Sequence, residues 1–225
     1  MSRTPILFTW SSGKDSAMGL HILQQDPHCE VLALLTTINR DHGRVSMHGV
    51  REALVERQAA AIGLPLEKIL IGRNATNADC EAAVETILSR YRARGVYDVA
   101  YGDLYLEDVR KYRENNLARA GMRALFPLWK RDTRELARHF VSAGFRATVT
   151  CVDTQALDGR FCGRDLDVAF FAELPAKVDP CGENGEYHSF CWAGPCFREP
   201  VTFTRGETVL RDGRFMFTDL IPAGE

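Results

Sequence analysis

Apolar residues fall in short unbroken runs over the first two thirds of the chain and alternate with polar ones near its end. PILFTW, from Pro5 to Trp10, is an apolar run bounded by polar residues, the pattern of a strand buried on both faces. VLALLTT (Val31 to Thr37), KILI (Lys68 to Ile71) and VYDVAY (Val96 to Tyr101) repeat it. Helical patterns lie between them. One runs from Asp15 to Gln25. In a second, Val50, Leu54, Ala61 and Ile62 share a face and Gly63 ends it. A third opens with Asn77 as its cap, places Val84, Ile87, Leu88 and Tyr91 at i, i+3, i+4 and i+7, and stops at Gly95. A helix from Tyr105 to Ala120, a short strand from Ala124 to Leu128 and a helix from Thr133 to Ala143 follow. Strands without a polar face that alternate with helices predict an α/β fold with a doubly wound parallel sheet.

After Gly144 the texture changes. RATVTCV (Arg146 to Val152) alternates, and Thr208 to Leu210 and Phe215 to Phe217 flank Asp212-Gly213, a strong hairpin signal. The pattern predicts a parallel-sheet domain over residues 1–143 and a smaller, mixed α/β and more β-rich domain over 144–225.

Composition changes this picture little. At 225 residues, 45% hydrophobic and 26% charged, the chain is neither disordered nor a coiled coil. It has no apolar run of about 18 residues, the length a membrane span needs. Lys14 and Asp15 interrupt the first apolar stretch, so no secretory signal is read there. Seven scattered cysteines, an odd number, suit reduced thiols, and a cytoplasmic protein is expected. Charge is uneven: residues 1–155 hold 21 basic against 18 acidic groups, whereas residues 156–225 hold seven against 12. The segment 110–138 carries nine basic side chains, enough to attract phosphate, but the overall balance of -2 argues against a nucleic-acid binder.

The chemistry begins at SSGKDS. In an open parallel sheet ligands bind beyond the carboxyl ends of the strands, and the first strand-to-helix turn is the usual phosphate site. Ser11, Ser12 and Gly13 make a tight polar loop there, whose amides open into the positive end of the helix near Asp15. Lys14 adds a mobile cation on an exposed loop, and the hydroxyls of Ser11 and Ser16 add donors. GxxxxGK[ST] cannot be laid on it, so the loop is not a Walker A motif.

WSSGKDS resembles the PP-loop of the ATP pyrophosphatases in the adenine nucleotide alpha hydrolase-like superfamily. His48, GLPL (Gly63 to Leu66), YGDLYLEDVRKYREN (Tyr101 to Asn115), FPLWKRDT (Phe126 to Thr133), DPCGENGEYHSF (Asp179 to Phe190) and Gly194-Pro195 extend the likeness over nearly the whole chain. Together they resemble the diphthine-ammonia ligase family, and more closely its bacterial branch, which leaves the acceptor unspecified. The resemblance implies that ATP with Mg2+ adenylates an acceptor, on a protein side chain or a small molecule, and that ammonia or another amine displaces AMP after pyrophosphate leaves. It implies that Ser11, Gly13, Lys14, Asp15 and Ser16 hold phosphate or order its loop. Ser12 replaces the usual middle glycine and tightens the backbone there. Gly102 and Asp103 follow the fourth strand, with Asp103, like Asp15, a candidate Mg2+ ligand. A homodimer is compatible with the sequence.

GENGEYH supplies a second constellation. If Tyr187 begins a strand, Glu186 and His188 point to one side and Glu183 reaches in from the glycine-bracketed turn. Two carboxylates and an imidazole suit an amine, a general base or a metal. Lys14, Asp103, Glu183, Glu186 and His188 are therefore the candidate catalytic set, with His48 near the adenine. Arg110 and Glu114 match family positions, and Arg113 lies on the core edge of its helix. Cys181, His188, Cys191 and Cys196 match no paired zinc spacing. The rival readings are a PP-loop RNA sulfurtransferase, which needs a reactive cysteine, and a non-catalytic nucleotide-binding regulator.

Overall fold

The computed structural model describes residues 3–72 and 75–224. Strand β1 (Thr4–Thr9) is the middle of the first sheet, parallel to β2 (Cys29–Asn39) on one side and to β5 (Asp98–Ala100) on the other. Beyond β2 lies β4 (Leu66–Ile71), and beyond β5 lies β6 (Arg123–Leu125), both parallel. A two-residue strand, β3 (Arg44–Val45), runs antiparallel to the end of β2 and was not legible in the sequence. The chain goes outward from β1 through β2 to β4, then returns to the opposite side for β5. The switch point thus falls at the carboxyl end of β1.

Helices cover both faces. Ile6, Phe8 and Trp10 pack with α1 (Lys14–Gln25) and α2 (Glu52–Ile62). Leu7, Ala33, Leu35 and Ile69 pack with α3 (Asn77–Arg92) and α4 (Glu107–Arg119). The apolar runs are unbroken because both faces of these strands are buried. The cap of α3 is Thr76, one residue before the expected Asn77: Thr76 Oγ1 accepts from the Asp79 N–H and the Asp79 carboxylate accepts from the Thr76 N–H. Among the described residues no helix is long and apolar enough to cross a membrane.

The second sheet is antiparallel, in the order β8 (Tyr187–Ala193), β7 (Arg146–Asp153), β10 (Phe215–Pro222) and β9 (Phe203–Arg211). Asp212 and Gly213 close the hairpin at φ of 51° and 62°, the two positive values a type I′ turn needs. Helices α5 (Thr133–Ser142) and α6 (Val168–Glu173) flank this sheet, α6 being unforeseen. One apolar cluster joins Phe8 and Trp10 of the first sheet to Phe145, Val149 and Phe190 of the second.

Where the sheets meet, Ser12 takes a left-handed conformation, φ 70°, as the replacement of glycine foreshadowed. Its carbonyl accepts from Cys191 N (2.8 Å) and from Gln58 Nε2 (3.0 Å), and its own buried hydroxyl has no partner. A non-glycine residue there costs about 1–2 kcal/mol, of which glycine's extra chain entropy takes back about 0.5–1 kcal/mol. Ser12→Gly is therefore expected to raise the melting temperature by roughly 2–4 °C in thermal denaturation. A lower melting temperature would show that the serine side chain contributes packing that outweighs the strain.

Candidate functional site

A cleft of about 460 Å³ opens at the carboxyl end of β1 between the two sheets. The PP-loop, the segments after β2 and β5, and the 181–189 segment line it. Both constellations found in the sequence therefore face one space, apart from Glu186 and the fully buried Ser12.

The loop is folded on itself. Ser11 Oγ and Ser16 Oγ lie 2.8 Å apart, and the Gly13 N–H donates to Ser11 Oγ. The Lys14 N–H reaches Ser189 Oγ on β8. A Cβ on Gly13 would stand 3.0 Å from His48 Cε1 and 3.2 Å from the Ser189 carbonyl, so a larger residue would press on both, although the φ of -89° is ordinary. Among the described residues the amides of Asp15 and Ser16 have no acceptor, and they are the first-turn donors that favour an anion. A Cβ on Gly102 would lie 3.1 Å from Ser16 N, so this glycine lets the end of β5 close on the same helix start.

Lys14 is neither mobile nor exposed. Its side chain is 4% accessible, and its ammonium donates to Asp15 Oδ2 at 2.7 Å and to the Cys181 carbonyl, 5.3 Å from the Tyr187 ring centre. Burial pulls its pKa down, but the charge of Asp15 and the hydrogen bond to it work against that, and the ammonium is held above its ordinary range. The lysine is thus a strut between the PP-loop and the C-terminal segment as well as a charge. Its removal would strand a half-buried carboxylate and open the tie to the 181–189 segment, so it should destabilise the fold, though by less than the loss of about 3–5 kcal/mol for a broken, fully buried pair. Asp15 is pushed up by burial against the pull of Lys14, and its buried Oδ1 has no hydrogen-bond partner.

Asp103 lies in the cleft, but both its oxygens are taken by Arg113, at 2.5 Å from Nε and 3.2 Å from Nη2. The pairing with Arg113 holds this carboxylate in place at the cleft, with a lone pair left on each oxygen. Arg110, favoured by the sequence, pairs with Glu114 at 2.7 Å outside the cleft, and Arg113 is the arginine that lines it.

In the C-terminal segment, Glu183 Oε1 accepts from the Leu104 N–H at 2.8 Å and the Tyr105 N–H at 3.4 Å. Burial pushes its carboxyl up to about 7, and the Asp15 carboxylate adds to the shift against the Leu104 hydrogen bond. The His188 and His48 rings lie 4.6 Å apart, tilted by 38°. Burial lowers His188 to about 4 and His48 to about 3, so both are neutral at neutral pH. His48 Nδ1 is 3.2 Å from the Ser189 carbonyl, which fixes the proton on that nitrogen and leaves Nε2 as an acceptor. His48 therefore sits beside His188 and also against Gly13 of the PP-loop.

Glu186 does not join His188 in the cleft. It precedes β8 and turns back into its own loop, where it accepts from the Asp179 N–H, the Asn184 N–H and Asn184 Nδ2, each at 3.0 Å. With three donors to satisfy, it shapes the turn that presents Glu183. A Cβ on Gly182 (φ 67°) would sit 2.8 Å from the Tyr187 carbonyl, so the turn also depends on that glycine.

Gln58 was missed. It stands fully buried on α2, four residues after Leu54 on the core stripe, and its side chain bonds Trp10 Nε1 (2.8 Å), the Ser12 carbonyl and the Cys191 carbonyl (2.6 Å). A polar residue on an otherwise apolar helix face was the available signal. Among the described residues no group of three or more His, Cys, Asp or Glu side chains converges as a metal cage.

A family model described as the diphthamide synthase N-terminal domain matches residues 4–124, and one described as the diphthamide synthase C-terminal domain matches residues 132–215. The diphthine–ammonia ligase of Danio rerio is 27% identical over 89% of this chain and 86% of its own. That of Homo sapiens is 32% identical over 47% of this chain and 42% of its own, and that of Schizosaccharomyces pombe 24% over 88% and 36%. Among solved structures, the U34-tRNA thiolase NcsA of Methanococcus maripaludis with its 4Fe-4S cluster aligns over 63% of this chain and 58% of its own, at 15% identity and a TM-score of 0.40. With both family models matched in order along the same polypeptide, the chain belongs to the diphthamide synthase family, a family of ATP-dependent ligases.

Proposed function

We propose that the protein joins ammonia, or a similar small amine, to an acceptor carboxylate by way of an acyl-adenylate. A carboxylate oxygen attacks the α-phosphorus of ATP, the bond to the β-phosphate oxygen breaks, and pyrophosphate leaves with both electrons of that bond. Neutral amine then attacks the acyl carbon, AMP departs, and a proton passes from the nitrogen to a base. The observation that carries this reading is that the open amides of the PP-loop and the carboxyl of Glu183 face the same cleft. The curated relatives are named for the corresponding reaction with diphthine and ammonia.

Each group has work suited to its state. The loop amides and helix start favour the polyphosphate. Leu35, Val45, Ile69 and Val84 make an apolar end that suits the base. Glu183, near neutrality, suits the proton of the incoming amine, and neutral His188 and His48 can accept hydrogen bonds from it without repelling an ammonium. Mg2+ fits the unpartnered Oδ1 of Asp15, because magnesium is usually held by one or two carboxylates plus phosphates rather than by a protein cage. When bound it would offset polyphosphate charge. The sulfurtransferase reading is disfavoured by Cys181, the cleft's cysteine: its Sγ lies 3.5 Å from the Thr133 carbonyl and burial pushes its thiol up, so it is a poor thiolate.

Two outcomes are expected. Chromatography of the nucleotide products, with the acceptor present, should find AMP and pyrophosphate; ADP with orthophosphate as the main products would contradict the reading. Turnover should rise with pH through about 7 as Glu183 ionises. Glu183→Gln keeps an oxygen for the Leu104 N–H but cannot take a proton. It should abolish that rise and lower kcat by about 10²–10⁴-fold, with ATP affinity near wild type. A pH profile in Glu183→Gln that matches wild type would remove Glu183 as the base.

A further inference from the structure

Two cationic side chains line the cleft, and they differ in what they have left to give. The Lys14 ammonium spends two of its three protons on Asp15 and Cys181. Arg113 has five N–H donors and spends one from Nε and one from Nη2 on Asp103; among the described residues Nη1 has no acceptor. Its guanidinium carbon lies 4.5 Å from the centre of the Tyr101 ring. Tyr101 stacks on Phe126 at 5.7 Å and 22°, and Arg110 lies over Phe126 (4.9 Å) and Trp129 (4.7 Å). This ladder of cations and rings gives the FPLW segment a physical task. It braces Tyr101, which with the Asp103 carboxylate fixes the plane of the Arg113 fork.

Arg113 is also on the polyphosphate side. Asp103 follows Gly102, where an added Cβ would lie 3.1 Å from Asp15 C and from Ser16 N, at the helix start that carries the open amides. The Asp103 charge is felt by Asp15 and by Glu183. A planar fork with free donors, held rigid beside a helix start, matches the oxygens of a phosphate group better than a point charge does.

We infer that Arg113 binds the leaving pyrophosphate end of the nucleotide through its free donors, with Asp103 and Tyr101 as its positioning residues. This rests on the cleavage of ATP to AMP and pyrophosphate proposed above, and it moves the principal phosphate-binding cation from Lys14 to a residue on α4.

The test is calorimetric titration of the full chain with magnesium pyrophosphate and, separately, with AMP. Arg113→Gln should weaken pyrophosphate binding at least 10-fold and leave AMP affinity within about twofold. Arg113→Lys, which keeps the charge but loses the fork, and Asp103→Asn, which frees it, should fall between the two. Pyrophosphate affinity unchanged in both Arg113 variants would overturn the inference, as would a parallel loss of AMP and pyrophosphate binding, the mark of a purely structural role. The two ideas fail separately. If AMP and pyrophosphate are formed but the titrations do not respond to Arg113, this inference alone falls; if ADP is the product, the functional reading falls while the titrations still decide what Arg113 binds.

Discussion

The carbonyl of Ser12 is the point on which the architecture turns. It accepts one hydrogen bond from the backbone of β8 and one from Gln58 on α2, while its residue is held at positive φ. Each such buried bond contributes about 1 kcal/mol net, but an orphaned partner costs about 1–3 kcal/mol, so the three groups enforce one another. The consequence is geometric. With Ser12 anchored, Gly13 and Lys14 are presented to Ser189 and His48, and the first turn of α1 is aimed into the space between the sheets. A parallel sheet alone offers a phosphate loop at its switch point. The antiparallel sheet supplies the opposite wall and, through β8, the loop's fastening.

Electrostatics follow from that closure. Lys14 is drawn out of solvent and becomes a tie between Asp15 and the Cys181 carbonyl, so the charge the sequence offers to a phosphate is partly consumed by the fold. Burial keeps His48 and His188 neutral and brings Glu183 to about 7. The proposed reaction, which handles a polyanion and then an uncharged amine, calls for both positive charge and neutral acceptors. Here Arg113, the start of α1, Glu183, His188 and His48 all line the one cleft.

Much of this was legible in the sequence, for reasons tied to particular residues. Unbroken apolar runs at Pro5 to Trp10 and Val31 to Thr37 identify doubly buried strands, and Asp212-Gly213 marks a turn whose backbone few other pairs adopt. The presence of Glu183 and His188 in the cleft follows from the GENGEYH motif. What escaped depends on partners distant in sequence. Glu186 obeys period two only if the strand already exists at that residue, and β8 starts one residue later. Asp103 could not be known as the partner of Arg113 without the angle between β5 and α4. Gln58 was overlooked because its three partners belong to the residue after β1, the PP-loop and β8.

The central claim is that nucleotide capture and acceptor chemistry share the single cleft that the Ser12 fastening creates. The most direct measurement is a crystal structure of the wild-type chain with magnesium and an ATP analogue bearing a methylene bridge between the α and β phosphates. The account expects the β and γ phosphates against the Asp15 and Ser16 amides, with the α phosphorus open to the side where Glu183 and His188 stand. A triphosphate bound outside this cleft, or one whose α phosphorus is walled off from the 183–188 segment, would contradict it.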